Sequence, residues 1–180
     1  MGGILLAVIG AALLGFLISM SAPGPADGCT SESTDQSITL GPPGSGQLVG
    51  ATEYGGPGDP SSGTMGASGS NLLSHPDSYA ELGGVSFQTA TAIGGLPYMT
   101  PLRITWSHRS AIAYKRDFGL GGGPVAGLPR VIDLWWQLAG RLGIPYQGGG
   151  WSGPVRIERV ASSGAAGMIG NVATGTGAPS

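Results

Sequence analysis

The chain has 180 residues, of which 36 are Gly and 14 are Pro, and only 10% of the residues are charged. So much Gly and Pro is typical of low-complexity chains, but 41% of the residues are hydrophobic, which argues against disorder throughout. Eight Lys and Arg residues against ten Asp and Glu exclude the basic face that nucleic-acid binding needs. A single cysteine excludes an internal disulfide and a cysteine-rich zinc module, and we expect no metal and no cofactor.

The N-terminus carries an uncharged apolar run over residues 4–20. This run is near the short limit for a membrane-spanning helix and slightly long for the apolar region of a signal peptide. Residues 1–22 are therefore expected to form an apolar helix that is either a cleaved signal peptide or a retained membrane anchor. Lipidation of Cys29 is a further alternative. In each case we expect an exported protein of the cell envelope, secreted or attached to the membrane through this segment.

Composition divides the remaining chain into three parts. Residues 23–47 are small, polar and rich in Pro and Gly, which predicts a flexible, disordered linker. Residues 161–180 have the same character and predict a disordered tail. Residues 48–160 carry all four Trp, all five Tyr and all eight basic residues, so we expect them to form the folded domain.

Alternation of apolar and polar side chains within residues 48–160 predicts a domain that is mainly β. The expected strands are residues 48–54, 85–92, 102–106, 110–116 and 155–160. Ser107 and His108 separate two of these runs and predict a short hairpin loop.

One segment, residues 133–143, has the spacing of a short helix instead. Leu134, Trp135, Leu138 and Leu142 would share one face of it, so Trp135 is expected in the core. We expect Asp133 to cap the start of this helix and Gly143 to end it.

Several motifs in this region occur in a characteristic order. They read GATEYG at residues 50–55, LPYMTPLRI at 96–104, RDFG at 116–119 and RVIDL at 130–134. In sequence and order they resemble the double-psi β-barrel domains of the rare lipoprotein A, expansin and barwin-like group. The resemblance implies a six-stranded double-psi β-barrel with one short α-helix, crossed by a groove that holds a glycan strand.

The resemblance also implies a function and a partner. Proteins similar to rare lipoprotein A cleave peptidoglycan as lytic transglycosylases, which predicts peptidoglycan or another cell-wall polysaccharide as the partner. Cleavage of a glycosidic bond needs a proton donor and a group that stabilises positive charge at the sugar carbon. The family pattern places Asp117 and Asp133 on the groove, and we expect Asp117 to donate the proton with support from Asp133.

The sequence departs from the family pattern at positions that bear on catalysis. The histidine of the family stands as Ile93 here, and Phe118 and Leu120 interrupt the motif that follows Asp117. Two alternatives therefore stay open beside the enzyme. One is a non-catalytic glycan-binding or wall-loosening module, and the other is a structural component of a phage-tail or conjugation-type surface assembly.

Four further residues are candidates for contact with the glycan. Tyr54 matches the groove tyrosine of the family, and Glu53 beside it is a possible third carboxylate. Trp136 and Trp151 could offer flat apolar faces to sugar rings. Glu81, by contrast, is expected to lie on the solvated surface of a loop.

Overall fold

A computed structural model describes residues 36–161, and all structural statements below concern this range. The predicted N-terminal helix, the first part of the predicted linker and nearly all of the predicted tail lie outside the described residues. Within 36–161 no helix has the length and apolarity that crossing a membrane requires.

The described chain contains six strands and two short helices. The strands are β1 (Gln47–Tyr54), β2 (Ser78–Glu81), β3 (Pro101–Trp106), β4 (Arg109–Phe118), β5 (Arg130–Trp135) and β6 (Ser152–Arg159). The helices are a 3-10 turn at Leu72–Ser74 and α1 (Trp136–Leu142).

The six strands close into one barrel with the neighbour order β1-β5-β2-β4-β3-β6. The pairs β1–β5 and β2–β4 are parallel, and the other four pairs are antiparallel. The predicted mainly β domain with one short α-helix is therefore confirmed. A closed, mixed, six-stranded barrel is compatible with the double-psi fold.

Residues 36–46 precede the first strand and lie against the barrel. Leu40 is buried in the core, and the Ile38 N–H donates to the Ala92 carbonyl over 2.8 Å. The Gln36 side chain accepts the Arg130 N–H over 2.9 Å. This end of the predicted linker is thus bonded to the domain.

The hairpin between β3 and β4 confirms the predicted loop at Ser107 and His108, and Ser107 adopts φ +53° to make the tight turn. The predicted strand at 85–92 is wrong, because those residues form bends and turns and Val85 is 70% exposed. The strand of this region is β2, in which all four residues are buried. A strand buried on both faces has no alternating pattern by which to find it.

The helix α1 begins later than predicted. Asp133 lies inside β5, and the residue before the helix is Trp135, whose side chain makes no capping hydrogen bond. The predicted capping role of Asp133 is therefore wrong. The predicted end is confirmed, since Gly143 adopts φ +87° and its N–H donates to the Gly140 carbonyl. Trp135 is buried, as predicted.

A buried ion pair fixes one loop to the barrel. Glu81 and Lys115 are both 0% exposed, and the Lys115 Nζ lies 2.7 Å from the Glu81 carboxylate. The same carboxylate accepts the N–H groups of Ile93, Gly95 and Leu96. The expectation that Glu81 lies on the solvated surface is wrong, and Ile93, at the position of the family histidine, lies in the core.

We expect Gly55→Ala to lower the free energy of unfolding by about 2–4 kcal/mol. Gly55 adopts φ +77°, and an added Cβ would overlap the ring of Trp135. Gly58→Ala is the matched control, because Gly58 has φ +91° and nothing lies within 4 Å of its added Cβ. Urea unfolding followed by Trp fluorescence measures both. Equal losses in the two variants would contradict the steric part of this prediction.

Candidate functional site

The barrel surface carries a groove of about 540 Å³ across β1, β5, β2 and β4. Ala80 of β2 lies on its floor and pairs with Asp117 of β4 on one side and with Asp133 of β5 on the other. Neighbouring strands are about 4.8 Å apart, so the backbone of Asp117 and the backbone of Asp133 are separated by roughly 10 Å. Asp117, Asp133, Tyr54 and Glu53 all line this one groove.

Asp117 is held by hydrogen bonds from backbone N–H groups and not by a basic side chain. Its Oδ1 accepts a hydrogen bond from the N–H of Ala67 over 2.9 Å and another from the N–H of the next residue, Phe118, over 3.0 Å. Burial raises the pKa of Asp117 above its ordinary value, and these amide bonds offset only part of the increase. Both amide bonds reach Oδ1, so Oδ2 is the oxygen left for a proton, and the Tyr54 hydroxyl is close enough to lower the pKa of this carboxyl as well.

Asp133 has a different environment, because it is paired with Arg130. The Arg130 Nη2 donates to both carboxylate oxygens over 3.0 and 3.2 Å, and the Arg130 Nε donates to Thr52 over 3.0 Å. Burial raises the pKa of Asp133, the guanidinium lowers it, and the charge of Asp117 raises it. Two carboxyl groups in one groove thus differ in their partners, which is the usual basis for separate acid and base roles.

The Tyr54 hydroxyl lies between these charges. Burial raises its pKa well above the ordinary value, and the charges of Asp117 and Asp133 raise it further, so the hydroxyl stays protonated. It is close enough to Asp117 to lower the pKa of that carboxyl, but it has no hydrogen-bond partner of ordinary geometry within the described residues. Tyr54 therefore contributes a neutral O–H beside both carboxylates.

Glu53 lies at one end of the groove, beneath the loop that precedes β6. The side chain is 3% exposed; its Oε2 accepts the Gln147 N–H over 3.3 Å, and its Oε1 has no partner in the described chain. Burial raises the pKa of Glu53, backbone N–H groups, that of Gln147 first, lower it in part, and the nearby charge of Asp59 adds a smaller increase. A buried carboxyl without a cation favours the protonated, neutral form.

Two residues of the groove, Arg130 and Asp59, were not identified from the sequence. Asp59 accepts the N–H of Gly55 over 2.7 Å and that of Ser61 over 2.9 Å. Although burial raises the pKa of Asp59, hydrogen bonds led by the Ser61 hydroxyl lower it to about 2. The bond to a backbone N–H two residues on is an Asx turn, so the Asp-Pro-Ser run was a usable signal. For Arg130 the spacing gave no signal, because residues three apart in a regular strand point to opposite faces, and the pairing of β5 with β1 is irregular between Arg130 and Ile132.

The two predicted tryptophan platforms lie elsewhere. Trp136 is half-buried and lines a separate, smaller pocket. Trp151 is 8% exposed and packs edge-on against Trp106, with 6.4 Å between the ring centroids. Its ring occupies the space above Gly153, where an added Cβ would lie 2.7 Å from it. Trp151 therefore belongs to the core and not to the groove where we expected it.

Comparisons with known proteins do not place the chain in a family. No family model matches it, and no curated protein matches it. The fold assignment therefore rests on strand order and register, and the functional argument rests on the chemistry of the groove.

We expect Arg130→Gln to raise the pKa of Asp133 further, because the variant removes the guanidinium charge that lowers it. Carbon NMR of the Asp133 carboxyl during a pH titration measures this. Arg103→Gln is the control, since it removes an arginine paired with Glu158 outside the groove. An Asp133 titration that is the same in both variants would show that Arg130 does not set its charge.

Proposed function

We propose that this domain binds a cell-wall glycan strand, peptidoglycan above all, in the groove and cleaves it as a lytic transglycosylase. The observation that carries the proposal is the placement of Asp117 and Asp133 on either side of Ala80, in one groove, with different partners. The groove volume of about 540 Å³ lies within the range of about 300–1,000 Å³ that is usual for ligand sites.

We infer further that the barrel is a double-psi barrel of the rare lipoprotein A, expansin and barwin-like group. Two lines of support exist, namely the closed six-strand order with its two parallel pairs and the order of the motifs along the chain. The motifs at residues 50–55, 116–119 and 130–134 overlap the strands β1, β4 and β5, which carry residues of the groove lining. The proposal also includes export of the protein to the cell envelope, directed by the apolar N-terminal segment.

Asp117 is the proton donor in this mechanism. Its raised pKa favours the neutral acid, and its Oδ2 is the oxygen not bonded to amides. The carboxyl proton passes to the glycosidic oxygen, and the bond from that oxygen to the anomeric carbon breaks. A hydroxyl of the same sugar then attacks the anomeric carbon and gives its proton to the Asp117 carboxylate, which regenerates the acid without consuming water.

Asp133 and Tyr54 line the same groove as the acid and support this step. Asp133 is paired with the Arg130 guanidinium, which lowers its pKa against the larger effect of burial, and in its charged form it stabilises the positive charge that develops at the anomeric carbon. Tyr54 keeps its proton, and its buried hydroxyl lies close enough to Asp117 to stabilise the charged form of that carboxyl. Glu53, at the end of the groove, remains a candidate contact with the glycan.

Incubation of the full-length chain with purified peptidoglycan, followed by mass spectrometry of the soluble products, tests the proposal. We expect muropeptides that end in an anhydro sugar. Products that end in an ordinary reducing sugar would instead indicate hydrolysis by water and would contradict the transglycosylase mechanism.

A second candidate, a glycan-binding module without cleavage, is favoured by one observation. Ile93, which stands where the related family has a histidine, cannot transfer a proton and is buried away from the groove. Retention of the protein on insoluble peptidoglycan without soluble products would support this candidate. Neither retention nor products would favour a structural role in a surface assembly.

A further inference from the structure

A second pocket of about 280 Å³ adjoins the groove and has a different chemistry. Its walls are mostly apolar, and Ser62 and Thr64 are the hydroxyl-bearing residues of its lining. Its apolar lining comes from Pro57, Leu73, Trp135 and Trp136. An aromatic pocket with a few polar groups is the usual composition of a small-molecule site.

The loop over this pocket is held in place before any ligand binds. The Tyr146 hydroxyl donates to the Pro57 carbonyl over 2.6 Å, and the Tyr146 and Trp136 ring centroids are 5.6 Å apart. Gly56 packs so closely on this pair that an added Cβ would lie 2.9 Å from the Trp136 Cγ. Asp59 braces the other side of the loop through Gly55 and Ser61. A preformed pocket loses little conformational entropy when a ligand binds, so less of the binding free energy is lost to ordering the loop.

The pocket and the groove share one short segment of their linings. Ser62 and Gly63 line both of them, and Asp59, which braces that segment, also lines the groove. A polymer that lies in the groove between Asp117 and Asp133 can therefore continue over this segment into the pocket.

We propose that the Trp136 pocket is a second subsite for the same glycan, in which one sugar ring of the strand packs its apolar face on the indole of Trp136. This inference rests on the proposed function, and it adds the position of a neighbouring sugar. A pyranose ring presents C–H groups on one face and hydroxyls at its edge. The lining of the pocket combines the same two chemistries, with the aromatic Trp135 and Trp136 beside the hydroxyl-bearing Ser62 and Thr64.

The pocket volume limits what the subsite accepts. It is just below the lower end of the usual range of about 300–1,000 Å³ for ligand sites, so we assign it one ring and not a longer segment. The described residues that line it carry no charge, so neither an anionic nor a cationic ligand would find a counter-ion there. A neutral sugar unit is the occupant that fits both the size and the absence of charge.

NMR titration of the full-length chain with N-acetylchitohexaose tests the subsite. A polyoxyethylene detergent, which carries no sugar, is present throughout. The indole N–H of Trp136 reports on the pocket and is assigned by its disappearance in Trp136→Phe. The backbone N–H of Ala80 reports on the groove. We expect both signals to shift along one saturation curve.

Affinity measurements complete the test. We expect Trp136→Ala to weaken binding of the hexasaccharide about tenfold, as loss of one stacking contact does. Trp136→Phe keeps an aromatic face and is expected to retain most of the affinity. Leu73→Ser is a second variant that changes the pocket wall at a side chain 47% exposed, so it is expected to fold and to bind more weakly than the unmodified chain.

The outcomes separate the subsite from the proposed cleavage. A shift of Ala80 alone, with unchanged affinity in Trp136→Ala and Leu73→Ser, overturns the subsite and leaves the proposed function standing. A shift of Trp136 without cleavage of peptidoglycan supports the subsite and overturns the lytic activity. If neither signal shifts, the subsite is overturned, and the analysis of peptidoglycan products decides the function on its own.

Discussion

Asp117→Asn is expected to lower the yield of anhydro-sugar products from peptidoglycan at least about a hundredfold, which is the usual contribution of a positioned acid. Asparagine keeps the size of the side chain and the oxygen that accepts the Ala67 and Phe118 N–H groups. It cannot donate the proton that the leaving oxygen needs. Mass spectrometry of the soluble products at fixed protein concentration measures the loss.

The pH dependence of cleavage provides a second measurement on the same residue. Since burial raises the Asp117 pKa, the acid form persists to a higher pH than in an exposed aspartate, and cleavage declines as the pH rises through that raised pKa. The same shift makes the folded state favour protonation. The contribution of Asp117 to the free energy of unfolding is therefore present at low pH and is lost as the pH rises through its folded-state pKa. Asp117→Asn removes this part of the pH dependence of stability.

Glu158→Gln is the matched control for Asp117→Asn. It neutralises a carboxylate that is paired with Arg103 and does not line the groove. We expect this variant to cleave as the unmodified chain does. If the product yield of Asp117→Asn also stays unchanged while its circular dichroism spectrum is native, Asp117 has no part in the mechanism.

Lys115→Met is expected to cause the largest loss of stability, about 3–5 kcal/mol in the free energy of unfolding, because it leaves the buried Glu81 charge without its cation. The ion pair is 2.7 Å long, and neither side chain is exposed. Lys115 also donates to the Leu96 carbonyl and lies 5.2 Å from the centroid of the Phe87 ring. Urea unfolding followed by Trp fluorescence measures the change.

Two comparisons identify burial as the cause of this loss. Arg103→Met breaks a pair whose arginine is 48% exposed, and exposed pairs contribute only about 0–1 kcal/mol. The double variant Lys115→Met with Glu81→Gln removes both charges, and we expect it to be more stable than Lys115→Met alone. A loss in Lys115→Met no larger than that in Arg103→Met would contradict the prediction.

Local patterns predicted the elements in which one face is buried and the other is solvated. The strand before the hairpin at Ser107 and His108 and the last strand both show alternating burial along the chain, which the sequence also shows. The first strand is an exception, because it buries three consecutive residues and the polar Glu53. The end of the helix was found because a left-handed residue is needed there and Gly143 supplies it.

The elements that the sequence misplaced are those that depend on partners distant in the chain. The strand β2 is short and buried on both faces, so nothing local distinguishes it from a loop. Glu81 at its end would be a surface residue by type. It is buried because Lys115, 34 residues away, and three backbone N–H groups compensate its charge.

For the candidate site, the sequence alone identified Asp117, Asp133, Tyr54 and Glu53, on the strength of motif order and of the chemistry of carboxyl groups. Only the tertiary structure decided that these four share one groove, that Arg130 pairs with Asp133, and that Trp136 faces a pocket whereas Trp151 faces the core. The physical reason is that strand register determines which side chains meet. In this barrel the register of β2 with β4 and β5 brings together residues that are far apart in the chain.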